Sequence, residues 1–315
     1  MSAAPMREGS SANPPDGGAL VRFIRRRPLV SFLLWAYTLG QVLPWLVVLT
    51  GLADRDRWMQ GSVLVSTLIG LLMPALLITR TTDGRDGLRA LWRRAVAVRV
   101  GPVWHAAALI LVPALTLTIG VLIVGTSAEQ SAGFLLTGLG TQFLLPLLIT
   151  FVLINWWEGV AWTGFVQARL QDRHGALLAA LTVAPLFALR YSPLVAGHGV
   201  MAGAAMLVLL AALAVPFRFA LGWSYNRTGS LFLVGLLHAA GNPTAGGDGF
   251  NAGYLRDLYP HDTNVTMAHL MAKFLLGLLV VIATRGRLGH RRPGGPPAKH
   301  LEGTGSATPG TVEES

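Results

Sequence analysis

Apolar runs long enough to cross a bilayer recur along this chain, and no other feature narrows its folding options as far. A membrane-spanning helix needs about 20 largely apolar residues, with a range of roughly 17–25. By that rule the sequence holds eight candidate spans, near 29–52, 62–79, 103–125, 134–157, 176–190, 199–221, 230–242 and 266–284. The fifth and seventh are short, so each must sit inside the bundle or continue past its apolar run. Lipid offers no partner to a backbone N–H or C=O group, so such runs fold as helices. The fold class expected is all-α: a polytopic integral membrane protein of about eight transmembrane helices.

Composition agrees, with 52% hydrophobic and only 13% charged residues, where soluble proteins carry about 25% charged. The chain has no cysteine, which excludes a disulfide framework, thiolate zinc sites and a cysteine nucleophile. A net charge of +10 would suggest nucleic acid in a soluble protein. Here the arginines cluster in short loops and tails beside apolar spans, so they read as orientation signals and no nucleic-acid partner is expected.

Arg22, Arg25, Arg26 and Arg27 precede the first span, and Arg80, Arg85, Arg89, Arg93, Arg94 and Arg99 follow the second. Arg169 and Arg173 follow the fourth, Arg218 and Arg227 the sixth, and Arg285, Arg287, Arg291 and Arg292 the last. An even number of spans puts all of them on one side. The opposite loops, with Asp54, Arg55, Asp56 and Arg57, then Glu129, then Asp248, Arg256, Asp257 and Asp262, are balanced or acidic. The protein is expected in the plasma membrane with both termini cytoplasmic. Residues 1–27 and 285–315 are polar, Gly- and Pro-rich tails expected to be disordered, flanking a membrane domain over 28–284. The first apolar span reads as an uncleaved signal anchor, and NPTAGGDGFNAG after His238 reads as a loop. In 85–101, Leu88, Leu91, Trp92 and Ala95 fall at helical spacing among arginines, the pattern of an amphipathic helix on the bilayer surface or of a solvated connector.

Within the apolar runs, three groups of polar residues need a reason. Glu158 stands in FVLINWWEGVAWTGF, and a carboxylate at the centre of a membrane helix costs about 2.5–3.5 kcal/mol on insertion scales. Near the cytoplasmic end of span four, snorkelling reduces that cost. Asn155, Glu158, Trp162 and Phe165 share one helical face. Glu158 is either functional or a structural partner of an arginine. His238 and Asn242, four apart, project from one face of span seven, where they can stabilise an anion or simply link helices. In APLFALRYSPL, Phe187 and Tyr191 are four apart and Pro193 closes the segment, the pattern of a helix end with an interfacial aromatic.

At these three places the sequence resembles the CPBP family of intramembrane proteases, also called the Abi or type II CAAX prenyl protease family, which includes lysostaphin resistance protein A-like members. That family carries EExxxR, then FxxxH followed by xP, then HxxxN on successive helices of an eight-helix bundle. The corresponding stretches here are Glu158-Gly159-Val160-Ala161-Trp162-Thr163, then Phe187 to Tyr191 followed by Ser192-Pro193, then His238-Ala239-Ala240-Gly241-Asn242. The third motif and its lead-in LGWSYNRTGSLFLVGLL are intact, and the likeness spans about 80–245. Gly159 replaces the second glutamate, Thr163 the arginine and Tyr191 the histidine.

The resemblance implies that Glu158 activates water for peptide hydrolysis, with Tyr191 in the histidine position. It implies that His238 and Asn242 stabilise the oxyanion. The substrate implied is a membrane-associated peptide or protein. The family label also implies a divalent metal such as zinc, for which Glu158 and His238 are the candidate ligands, two where a catalytic zinc normally has three. Two expectations follow: an intramembrane endopeptidase, or a catalytically inactive member of the fold that binds, scaffolds or confers bacteriocin self-immunity. The sequence leaves the oligomeric state open.

Overall fold

The computed structural model describes residues 18–52, 56–125, 132–245, 254, 258 and 264–290, and among these the chain forms helices and no strand. In chain order the helices are α1 (Ala19–Arg26), α2 (Pro28–Leu49), α3 (Arg57–Thr82), α4 (Gly84–Ala95), α5 (Pro102–Val124) and α6 (Leu136–His174). They continue with α7 (Ala176–Leu189), α8 (Ser192–His198), α9 (Val200–Thr228), α10 (Leu231–Ala245) and α11 (Asn264–Thr284). Single glycines make the reversals. Gly175 (φ 83°) separates α6 from α7, and Gly229 (φ 67°) separates α9 from α10, both in the left-handed region that other residues avoid.

Six of these helices are long and apolar enough to cross a membrane, and the bent pair α7–α8 makes a seventh candidate, where the sequence led us to expect eight. The remaining run is α10, whose 15 described residues rise about 22 Å at about 1.5 Å per residue, short of a hydrocarbon core of about 30 Å. It is enclosed instead: Leu231, Leu233, Val234, Ala239 and Ala240 are fully buried. The molecule is inside-out relative to a soluble protein. Leu122, Val103, Val200, Met201 and Val208 are exposed on the outside of the bundle, while Glu158, Arg190, Arg218, Gln167 and His238 are buried within it. An apolar exterior of that extent is a lipid-facing surface.

The arginine-bearing loops meet at one end. Arg25 Nε donates to Thr81 O (3.3 Å), Arg169 pairs with Asp83, and Arg94 Nη1 donates to Tyr225 Oη (3.0 Å). Gln171 Nε2 donates to Asn226 Oδ1 (2.9 Å), and Asn226 Nδ2 donates to Leu288 O (3.0 Å). That grouping ties the N-terminal segment, the α3–α4 junction, the ends of α6 and α9 and the C-terminal segment together. Several boundaries differ from expectation. Ala19–Arg26 is helical rather than tail, and Leu288 is fully buried rather than part of a free tail. Helix α4 ends at Ala95, short of residue 101, with Leu91 and Ala95 packed inward and Trp92 exposed. Helix α10 runs on through Pro243 to Ala245, into the expected loop, whose remainder lies outside the described residues. So do Asp54, Arg55, Glu129, Asp248, Arg256, Asp257, Asp262, Arg291 and Arg292.

Helix α6 is the axis of the assembly. It carries π-helical stretches at Leu139–Leu144, Phe151–Asn155 and Gly159–Gln167, and every residue from Gly159 to Gln167 is buried. A helix buried on all sides has neighbours all round. Helix α10 approaches it most closely at Gly235, where an added Cβ would lie 2.6 Å from Trp156 Cα. Gly235→Ala is expected to separate the two backbones and destabilise the fold by about 1–3 kcal/mol. Gly140→Ala, which points into open space, is the matched control, and a lower thermal midpoint for the first alone is the result expected.

Candidate active site

Glu158 lies well inside α6, on the single α-helical turn Trp156–Glu158 between two π stretches. The span-end position expected from the apolar run is thus corrected, because α6 continues to His174. Snorkelling has no part in its placement: the residue is 1% exposed. Its charge is met by the chain. Arg190 Nη1 sits 2.9 Å from Glu158 Oε1, the Tyr191 hydroxyl donates to the same oxygen at 3.4 Å, and Asn155 Nδ2 donates to Oε2 at 3.4 Å. The shared face expected for Asn155, Glu158, Trp162 and Phe165 has this use at one end. At the other, Trp162 and Phe165 pack on Phe32 of α2 at ring separations of 5.8 and 5.1 Å.

Arg190 and Tyr191 reach the site because α7 ends there. Pro193 has no N–H to give to the Leu189 carbonyl and suits the first turn of a new helix, and the chain bends by 53° between α7 and α8. The last turn tightens, with Arg190 N bonding Phe187 O and Tyr191 N bonding Ala188 O. The Leu186 carbonyl is released and accepts the Tyr37 hydroxyl. Arg190 is also held from behind. Its Nη2 donates to Thr67 Oγ1 (2.6 Å) in the π-helical stretch Ser66–Leu72 of α3, and its carbonyl accepts Gln41 Nε2 (2.9 Å) at the 3-10 turn of α2. Irregular turns in α2, α3 and α6 and the α7–α8 bend therefore surround one guanidinium. Such departures from α geometry concentrate at functional sites.

Helix α10 supplies the remaining pair. His238 Nδ1 is 3.7 Å from Glu158 Oε2, and Asn242 Nδ2 donates to Asn155 Oδ1 at 3.2 Å. All four residues expected to form the site, Glu158, Tyr191, His238 and Asn242, thus converge from three helices, with Asn242 connected through Asn155. His198, a possible substitute for the missing histidine, is exposed on α8. Two arginines escaped the sequence reading. Arg190 falls at the edge of an apolar run and passes for an interfacial residue. Arg218 had been assigned to a basic loop, but α9 continues to Thr228 and buries it at 3% exposure. Its guanidinium lies 5.7 Å over the Phe187 ring, which is 5.8 Å from His238 and 5.2 Å from Tyr191, and its Nε and Nη2 have no hydrogen-bond partner among the described residues.

The two other replaced motif positions point elsewhere. A Cβ at Gly159 would meet Gly235 N and Val234 Cγ1, both at 3.4 Å, so this position faces α10. Thr163 is fully buried, with its hydroxyl unpaired. The donor set does not fit a catalytic metal. Glu158 Oε1 is taken by a cation, His238 is the one other ligand at hand, and no three His, Asp or Glu side chains converge among the described residues, where a catalytic zinc normally has three protein ligands.

These features define an all-α polytopic membrane protein with an enclosed polar centre built on three motif-bearing helices and the kinked spans around them. Residues 140–244 match the family model described as Type II CAAX prenyl endopeptidase Rce1-like, a stretch that takes in all three motif sites and is consistent with a CPBP family protease. That part of the chain is similar to a type II CAAX prenyl endopeptidase. Curated proteins and solved structures gave no match.

Proposed function

We propose that this protein is an intramembrane endopeptidase that hydrolyses a peptide bond in a membrane-associated substrate through water activated by Glu158. The observation that supports it is the approach of His238 Nδ1 to 3.7 Å from Glu158 Oε2 inside the bundle. That distance is too long for a direct hydrogen bond, and a water lying to one side is within reach of both atoms. Glu158 Oε2 takes the water proton as the oxygen attacks the scissile carbonyl carbon. His238 and Asn242 donate to the oxyanion. The C–N bond then breaks and the proton passes from Glu158 to the leaving amine. Tyr191 donates its hydroxyl to the carboxylate and positions it rather than acting as a base. We place the arginine-rich end of the bundle, with both termini, on the cytoplasmic side of the plasma membrane, in accord with the positive-inside rule.

A second reading has its own observation. Arg190 occupies Glu158 Oε1 directly, and Gly159, Thr163 and Tyr191 stand where the family's glutamate, arginine and histidine belong. This favours a non-catalytic member that binds or scaffolds membrane proteins. The two readings separate in one assay: the purified protein in detergent against a broad peptide library. The protease reading expects cleavage by the wild type that is lost in Glu158→Gln. Absence of wild-type cleavage supports the second reading, and cleavage only by Tyr191→His identifies a decayed site. Gly159 is left unchanged in this test because a larger side chain there would overpack the α6–α10 contact, and Thr163 because it is fully buried.

A further inference from the structure

We propose that a groove at the arginine-rich end of the bundle binds the phosphate of an acidic phospholipid headgroup. Three distant parts of the chain converge on it: the α1–α2 junction with Arg25, Arg26 and Arg27, the end of α3, and the end of α6 with Arg169 and Arg173. They enclose about 510 Å³. Setting membrane orientation requires only that arginines lie on one side. It does not require five of them to line one concavity.

Their pairing divides them into two sets. Arg25 is fixed through Thr81 O, and the half-buried Arg169 is fixed by Asp83. These contacts hold the α1–α2 junction and α6 against the end of α3, so the walls are built by the fold. The guanidinium groups of Arg26, Arg27 and Arg173 are exposed and have no hydrogen-bond or ion-pair partner among the described residues. Their mutual repulsion at short range is relieved by an anion, and the planar guanidinium matches phosphate oxygens in pairs. Asp172, on the same wall, disfavours a highly charged anion and leaves room for a singly charged phosphodiester.

The surroundings select a lipid over a soluble phosphate. Leu29 and Val30 line the groove where the first span begins, and the lipid-facing Leu34 lies one turn further on at 54% exposure. On α1, which leads into the groove, Leu20 (70%) and Phe23 (42%) are exposed as well. A headgroup seated among the arginines thus has its acyl chains beside an apolar helix face. Basic pockets between membrane helices at the cytoplasmic boundary are the general form of such sites.

The test uses the full chain in detergent, with lipid adducts counted by native mass spectrometry. Phosphatidylglycerol should be retained over phosphatidylcholine. Arg27→Gln with Arg173→Gln should weaken its retention about tenfold or more. The pair Arg27→Lys with Arg173→Lys should retain most of it, and Arg85→Gln with Arg93→Gln, equal in charge but on α4 outside the groove, should change it little. Thermal midpoints of all variants check that the fold persists. Equal loss in the groove and α4 pairs, or equal retention of phosphatidylcholine, overturns the proposal. Displacement of the lipid by millimolar inorganic phosphate also overturns it, in favour of a soluble phosphate.

Discussion

Arg190→Met is expected to destabilise the protein by about 3–5 kcal/mol, the usual cost of leaving one member of a buried ion pair without its partner. Glu158, 1% exposed, would keep Tyr191 and Asn155 as hydrogen-bond donors. The informative variant is the double Glu158→Gln, Arg190→Met. Replacing both charges removes the uncompensated carboxylate, and the double should recover much of the loss. Unfolding in mixed micelles, followed for the wild type, both singles and the double, measures the coupling as a double-mutant cycle. A double variant as unstable as the sum of the singles would show that Arg190 acts through Thr67 Oγ1 and Val63 O rather than through Glu158.

His238→Ala and Asn242→Ala should each lower the turnover of a cleaved peptide by about 10²–10³, the usual cost of losing one oxyanion donor. The loss should fall on kcat with KM little changed, because these donors act on charge that develops in the transition state. Asn242 has a second role, since it donates to Asn155, which donates to Glu158. Its removal frees the acceptor Oδ1 of Asn155, so Asn242→Ala should lower stability more than His238→Ala. Unchanged turnover in both variants would remove α10 from the chemistry and leave Glu158 to act without it.

The class of this fold was legible from apolar run length, because lipid leaves an apolar segment no choice but a self-satisfied helix. The order of the spans and the one-sided grouping of their arginines were legible for the same reason. Six or seven of the expected eight are long enough to span among the described residues. α10 contains the best-preserved motif, HAAGN, and its 15 described residues pack against α5 and α6. Run length also misjudged charged residues inside helices. Arg218 lies within the sixth apolar run, and α9 buries it with its guanidinium over the Phe187 ring.

What the sequence determined by itself was local: helix, motif spacing, and the pairing of His238 with Asn242 or Asn155 with Glu158 along one face. Periodicity alone carries such facts, since they depend on residues three or four apart. Which charge faces Glu158 was decided by the tertiary structure. Arg190 is 32 residues from it and Thr67 a further 123 from Arg190, and they meet only because a proline-broken helix end, two π stretches and a 3-10 turn fall at the same depth. Burial then makes that meeting obligatory, for a carboxylate held away from water must find its cation within the bundle.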